Sequence, residues 1–430
     1  MHSYALSMDP QLAEHRYRRR VVVTGLGTVT PLGNDVTATW AAVRAGISGI
    51  GPLTKVNLPG LPVRVAGEIT SFDPGAIADR KERRFLDDFC LFALAATAEA
   101  VADAGWDDAP PQRDRTAVIV GTGYGGLGAF ERGYEILRTR GAGRVGPHVI
   151  PAGMANAAAA HLAQRFQLRG PNQTVMTACA AGAHAIGTAF RMVSSGEADA
   201  AIAGGAEAPI CASALAGFAA MGALSTRTTP NASRPFDAQR DGFVLAEGAG
   251  MLALEPLDAA CARGAHIYGE IVGFAATADA YHVCAPSADG VGAARAMAAA
   301  LDDAGLTPSD VDYVNAHGTS TRYNDAVETR AIRAVFGAHA DRLLVSATKS
   351  MLGHMVGAAG AVESIVTLLT LAEGIVVPTI NLETPDPECN LDYVANQARL
   401  RPIAVAVKNS FGFGGANACL VFRRYDPERT

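Results

Sequence analysis

A chain of 430 residues, 49% of them apolar, holds enough material for a large core and excludes the disordered and fibrous classes. Its formal net charge of −6 argues against a nucleic-acid binder, whose surface must neutralise phosphates. Seven cysteines, an odd number without a CxxC pair, point away from disulfide frameworks and zinc ribbons and toward a reducing cytoplasm, with no metal expected.

Residues 1–18 carry Asp9, Glu14 and the start of a basic run (Arg16, Arg18, then Arg19 and Arg20) without a signal-peptide core, and read as a loose extension. No uninterrupted apolar run approaches the roughly 20 residues of a membrane helix. Short β-type runs then recur at 21–23, 117–120, 174–176 and 200–203, each feeding a turn of small residues. Helical patterns lie between them, at 36–45 with Asn34 and Asp35 as cap candidates and at 89–104. The second half repeats the theme. Residues 313–315 lead through a polar turn into a helix over 325–336, and 343–345 lead into a helix over 356–373. Runs at 403–407 and 419–422 close the chain as a hairpin. Strands alternating with helices predict a layered α/β fold. The repetition predicts duplication, with halves at 19–262 and 263–425 and a seam near 256–270.

Three strand ends carry chemistry. The string TVMTACAAGAH at 174–184 places Cys179 on a strand-to-helix elbow, where a nucleophile is exposed and a helix N-terminus lowers a thiol pKa. NAHGTST at 315–321 places His317, a donor or acid/base near neutral pH, at the carboxyl end of a strand. KSMLGHMVGAAG at 349–360 does the same for His354, among glycines that suit close approach of backbone to ligand. Each alone reads equally well as a buried structural residue.

Together, and with VVVTGLG, SRPFDAQRDGFVLAEGAGMLALE and NSFGFGGANA in order along the chain, they resemble the elongating Cys-His-His branch of the β-ketoacyl carrier-protein synthases over nearly the whole sequence. The resemblance implies a thiolase-like fold, a duplicated αβαβα core with mixed five-stranded sheets. It also implies decarboxylative condensation of an acyl chain on Cys179 with malonyl-acyl carrier protein. His317 and His354 would polarise the malonyl thioester, with Lys349 and Glu363 supporting them, and the amides of Cys179 and Phe411 would form the oxyanion hole. Thr319 and Thr321 would bind the pantetheine arm, while Phe411, Gly412 and Tyr124 would form the gate and acyl pocket. Arg80, Lys81, Arg83, Arg84 and Arg144 would dock the acidic carrier protein. No cofactor is implied beyond the phosphopantetheine that the carrier brings. A dimer is implied, either of two copies or with a chain-length-setting partner.

Tyr124 departs from the smaller aliphatic residue common in fatty-acid elongating members, and residues 155–160 are unusually small-sided. Both leave the ketosynthase of a polyketide or polyene pathway as the alternative reading. A nicotinamide oxidoreductase is disfavoured. The GxGxxG at 123–128 is followed by a polar segment, not by a second buried strand ending in an acidic residue. Thiolases use a second cysteine where this chain has Phe411 and Phe413, chain-initiating synthases carry asparagine in place of His354, and non-catalytic partner subunits lack the nucleophile.

Overall fold

The computed structural model describes residues 19–107 and 110–428; the extension expected over residues 1–18 lies outside them. The main sheet has ten strands in two sets of five. The first set is β1 (Val21–Val29), β2 (Thr116–Gly121), β3 (Asn172–Val175), β4 (Ala200–Glu207) and β5 (Gly248–Pro256). The second is β6 (Gly269–Ala278), β7 (Tyr313–Asn315), β8 (Leu344–Ser346), β9 (Val405–Gly412) and β10 (Ala416–Arg423).

In space they run β8-β7-β9-β10-β6-β1-β5-β4-β2-β3, so the order within one set repeats in the other. The pairing repeats too. β2 is parallel to β3 and β4, β7 is parallel to β8 and β9, and the remaining pairs within each set are antiparallel. The sets meet where β1 and β6 pair antiparallel through Val21–Ile271, Val22–Glu270 and Val23–Gly269. The seam read from the sequence thus falls just before a strand that is hydrogen-bonded into one continuous sheet.

Helices α1 (Asp88–Asp103) and α3 (Val291–Ala304) cover the outer faces of β1 and β6. The same device sets both distances: a Cβ on Gly25 would stand 2.2 Å from the Ala100 carbonyl oxygen, and one on Gly273 would stand 2.3 Å from that of Ala300. Only glycine lets strand and helix backbones approach so closely. Helices α2 (Ala181–Ser195) and α5 (Ala359–Glu373) pack against each other and against strands of both sets, forming the central layer. Helix α5 is buried from Ala359 through Leu371, as expected of a helix that is apolar on every side. The segment Val356–Glu373 is the one stretch among the described residues long and apolar enough to cross a membrane, and 89% of it is buried inside the protein.

The helix read over 356–373 starts later because Val356 takes φ +44° and opens a single 3-10 turn, Val356–Ala358. Ala178, at φ +48°, opens the matching turn Ala178–Ala180 ahead of α2. Left-handed backbone is unusual for alanine and strained for a β-branched valine. The fold holds both elbows in place, one at the entrance of each central helix.

Candidate active site

The first elbow presents Cys179. Its side chain is 8% exposed and lies on the wall of a cavity of about 730 Å³. Small neighbours make the turn possible: a Cβ on Gly182 would come within 2.7 Å of the Gly357 carbonyl oxygen at the second elbow. Burial pushes the thiol up to about 12, while the Lys349 ammonium and the amide N–H groups of Phe413 and Cys179 itself pull it back down. The expected lowering by the helix N-terminus is therefore outweighed by desolvation. The resting nucleophile is a thiol, not a preformed thiolate.

His317 follows β7, and two buried carboxylates of the next helix, α4 (Asn324–Phe336), fix its turn. Glu328 accepts the N–H groups of His317 and Gly318, both at 2.8 Å, and Asp325 accepts those of Thr319 and Ser320 at 3.0 and 3.2 Å. His354 is pinned from the other half of the chain. Its N–H donates to the Val244 carbonyl at 2.7 Å, and its own carbonyl accepts the Ala246 N–H at 3.0 Å. The two imidazoles stand 5.5 Å apart, centroid to centroid, with planes at 83°. Burial, then the Lys349 ammonium, holds both well below the usual histidine range, so both are neutral at pH 7. The Lys349 Nζ lies 3.4 Å from His317 Nδ1 and donates to the His317 carbonyl at 2.7 Å. An ammonium at that position requires a lone pair on Nδ1, which leaves the ring proton on Nε2 as a donor. His354 Nδ1 has no hydrogen-bond partner among the described residues.

Lys349 also donates to Glu363 Oε1 at 2.5 Å, and both side chains are 1% exposed. The cavity wall carries Cys179, His317, His354, Thr319, Thr321, Phe411, Gly412 and Phe413 together. The Thr319 and Thr321 hydroxyls share a hydrogen bond at 2.9 Å. Three chemically capable residues from three separated strand ends thus converge on one cavity.

The family model for the β-ketoacyl synthase N-terminal domain matches residues 18–260, and that for its C-terminal domain matches residues 268–383. The chain belongs to the β-ketoacyl synthase family. It is 50% identical to 3-oxoacyl-[acyl-carrier-protein] synthase 2 of Synechocystis sp. over 95% of this chain and 99% of the relative. It is 47% identical to the protein of the same name from Staphylococcus aureus, with the same coverage. Among solved structures, the ishigamide ketosynthase/chain length factor superposes with a TM-score of 0.89 at 37% identity, covering 95% of this chain and all of that one. A type II polyketide ketosynthase, solved with its acyl-carrier protein and bound to a hexaketide, superposes at 0.87 and 36% identity with the same coverage. The thiolase-like α/β class expected from the sequence is the class observed.

Within this β-ketoacyl synthase, the amide that reaches the Cys179 sulfur lies two residues beyond Phe411. Phe411 lies inside β9, paired with Asn417, and its ring faces His317 at 5.7 Å. The amide on the sulfur is that of Phe413, beyond the strand end. Gly412 permits this arrangement, since a Cβ there would press within 2.6 Å of the Thr177 carbonyl oxygen. Tyr124 is absent from the cavity wall. Its ring meets Phe218, which does line the cavity, edge-on at 6.1 Å, so it backs the wall from behind. Arg80, Lys81, Arg84 and Arg144 are exposed and Arg83 is half-buried; none of them lines the cavity. The Phe85–His148 ring contact at 4.1 Å brings the two basic segments to one face.

Sequence reasoning missed several members of the site. Glu207, fully buried at the end of β4, accepts the Thr122 hydroxyl at 2.9 Å and the amides of Gly123, Tyr124 and Gly357, tying the Tyr124 loop to the second elbow. Burial pushes its carboxyl up to about 7 despite those donors. Asp325, Glu328 and Lys408 were also missed. For Glu207 and Lys408 the available signal was a lone charge closing or interrupting an apolar β-run, as in AIAGGAE and AVAVK, because such a charge is kept only where it is paired.

Proposed function

We propose that this chain condenses an acyl group held on Cys179 with malonyl-acyl carrier protein, giving 3-oxoacyl-acyl carrier protein and CO2 in fatty-acid elongation. The observation that carries the reading is the convergence of Cys179, His317 and His354 on one cavity. The higher identity to the relatives named 3-oxoacyl-[acyl-carrier-protein] synthase 2, against 36% to the type II polyketide ketosynthase, favours elongation over the polyketide alternative.

In the first half-reaction the Cys179 sulfur attacks the acyl thioester carbonyl. The amides of Cys179 and Phe413 receive the oxyanion, and the pantetheine sulfur leaves with the proton that the thiol gives up. In the second, the bond between the malonyl methylene and its carboxylate breaks. The electron pair moves into an enolate whose oxygen receives N–H donors from His317 and His354. That carbon then attacks the acyl-cysteine carbonyl, and the Cys179 thiolate leaves and takes a proton from water. Neutral imidazoles suit this step, because they donate to the developing enolate and hold no spare proton with which to quench the carbanion. In this reading Thr319 and Thr321, on the cavity wall, bond the pantetheine amides, and the basic face around Arg80, Lys81, Arg84 and Arg144 offers the acidic carrier a docking charge. No resident cofactor or metal enters these steps.

Intact mass measured after incubation with a panel of saturated and polyunsaturated acyl carrier proteins is expected to show one acyl adduct on Cys179. Addition of malonyl carrier protein should then release CO2 and the extended product. Tyr124 behind the wall predicts a preference for chains other than long saturated ones; faster loading of long saturated chains would defeat that part. Absence of any adduct would defeat the whole reading.

A homodimer in the cytoplasm completes the proposal. The outer edge of β8 is covered, since Val345 donates to the Asp392 carbonyl at 2.8 Å, but β3 ends the sheet at its opposite edge with nothing paired beyond it among the described residues. Met176, Tyr134 and Ile150 stand 54%, 65% and 61% exposed. An open edge together with exposed apolar side chains favours pairing with a second chain. Light scattering of the purified protein is expected to report two chains per particle, and Ile150→Asp one.

A further inference from the structure

Glu363 is gripped from both sides. Lys349 takes Oε1, and the ammonium of Lys408 on β9 stands 2.9 Å from Oε2, off the hydrogen-bonding axis. Lys408 is fully buried, donates to the Ser410 hydroxyl at 3.0 Å and also reaches the Asn409 carbonyl. Other buried acceptors share this part of the core. The Asn315 side chain reaches the Glu363 carbonyl at 3.5 Å, that of Asn409 reaches Glu328 at 3.2 Å, and the Oδ1 atoms of both asparagines lack a donor among the described residues. A buried cluster so rich in acceptor oxygens is costly without a cation. Both lysines contact the one carboxylate of Glu363, and the Glu328 carboxyl also lies within electrostatic reach of Lys408. Neither the condensation chemistry nor the cavity wall accounts for the second lysine, since Lys408 does not reach the cavity.

We propose that Lys408 is a tethered internal cation: it holds the far oxygen of Glu363 so that the near oxygen fixes the Lys349 ammonium against His317, making Lys408 a positioning residue for decarboxylation. This rests on the condensing function proposed above. The geometry has a single line of action, from Lys408 through Glu363 and Lys349 to the Nδ1 of His317. Lys408 acts on charge as well as position, being one of the cations that disfavour protonation of His317 and His354 after burial and Lys349. The titratable groups around it are Glu363, Lys349, Glu328, His317, His354 and the buried thiol of Cys419.

A tethered cation can be replaced by a free one of similar size, and that gives the test. In Lys408→Ser the small side chain leaves room for ammonium or potassium beside Glu363, whereas Lys408→Met fills most of the space with an uncharged chain one atom shorter. Malonyl decarboxylation by both variants is expected to fall about 100-fold, the order of loss that follows displacement of a catalytic group by an ångström. Ammonium chloride should restore the serine variant and not the methionine variant, and tetramethylammonium chloride should restore neither. Acyl loading of Cys179, read by intact mass, should change far less. The acid limb of decarboxylation in Lys408→Met should move to higher pH, because removing a positive charge makes the histidines easier to protonate. If the serine variant is too unstable to assay, the comparison is read on Tm, which ammonium must raise and tetramethylammonium must not. Unchanged decarboxylation in Lys408→Met, or a serine variant indifferent to ammonium by both readouts, overturns the inference. A wild-type protein that releases no CO2 from malonyl carrier protein defeats the condensing function instead, so the two failures are distinct.

Discussion

Cys179→Ala is expected to abolish acyl uptake while leaving malonyl decarboxylation measurable. Cys179 is the only cysteine on the wall that carries the two histidines to sit on the elbow ahead of α2, where amides of Cys179 and Phe413 already face the sulfur. Removing a nucleophile that works as one unit with its oxyanion donors costs about 10⁴-fold or more in the overall reaction. On the proposed mechanism the donors to the enolate come from His317 and His354, whose backbones are held by Glu328 and the segment around Val244 and, for the His317 ring, by Lys349, not by the thiol. Intact mass should therefore show no adduct, and CO2 release should persist. An alanine variant that still takes up acyl chains at the same site would remove the cysteine from the mechanism.

The converse holds for the histidines. His317→Ala and His354→Ala are each expected to lower decarboxylation by about 10²–10³-fold, the usual loss for one donor to a developing oxyanion, while Cys179 still becomes acylated. The pair also predicts a pH dependence whose sign is fixed. Both imidazoles have folded pKa values well below 6.5, with burial as the main cause and the Lys349 charge next. Below pH 6.5 the unfolded chain takes up protons that the folded chain refuses. Stability contributed by these groups is thus complete above pH 6.5, is lost progressively as pH falls below it, and levels off only under the depressed folded pKa. Melting curves should show Tm declining below pH 6.5, and less steeply in a variant with both histidines replaced by glutamine. Decarboxylation by the wild type should stay level from neutral pH down through 6.5. A loss centred at 6.5 would mean that the rings titrate as exposed histidines do.

Much of this was legible in one dimension because the relevant signals are local. A β-run that ends in small residues and feeds a helix marks an elbow whatever the rest of the chain does, so Cys179, His317 and His354 could each be placed at a strand end. The strand boundaries for 313–315 and the hairpin near 411–415 follow from the same alternation of apolar runs and glycine-rich turns. The amide that meets the Cys179 sulfur was harder to place. Phe411 and Phe413 are two residues apart in a segment of near-identical composition, and only the point where β9 stops pairing with β10 decides which amide is free to turn toward the sulfur. Tyr124 lies off the cavity wall for a related reason. Its position after β2 predicts proximity to the pocket, but which of two aromatic rings faces the void is settled by the packing of Phe218.

By itself the sequence determined the repeated order of strands and helices, the three strand ends that carry chemistry, and the absence of a basic or disulfide-bonded architecture. These depend on periodicity, turn chemistry and composition, which act over a few residues. The tertiary structure alone decided the protonation states and the charge network: a thiol kept protonated, two imidazoles kept neutral, and one carboxylate shared by Lys349 and Lys408. The physical reason is that desolvation and Coulomb terms act through space in a medium of low dielectric, between groups that lie tens to hundreds of residues apart along the chain.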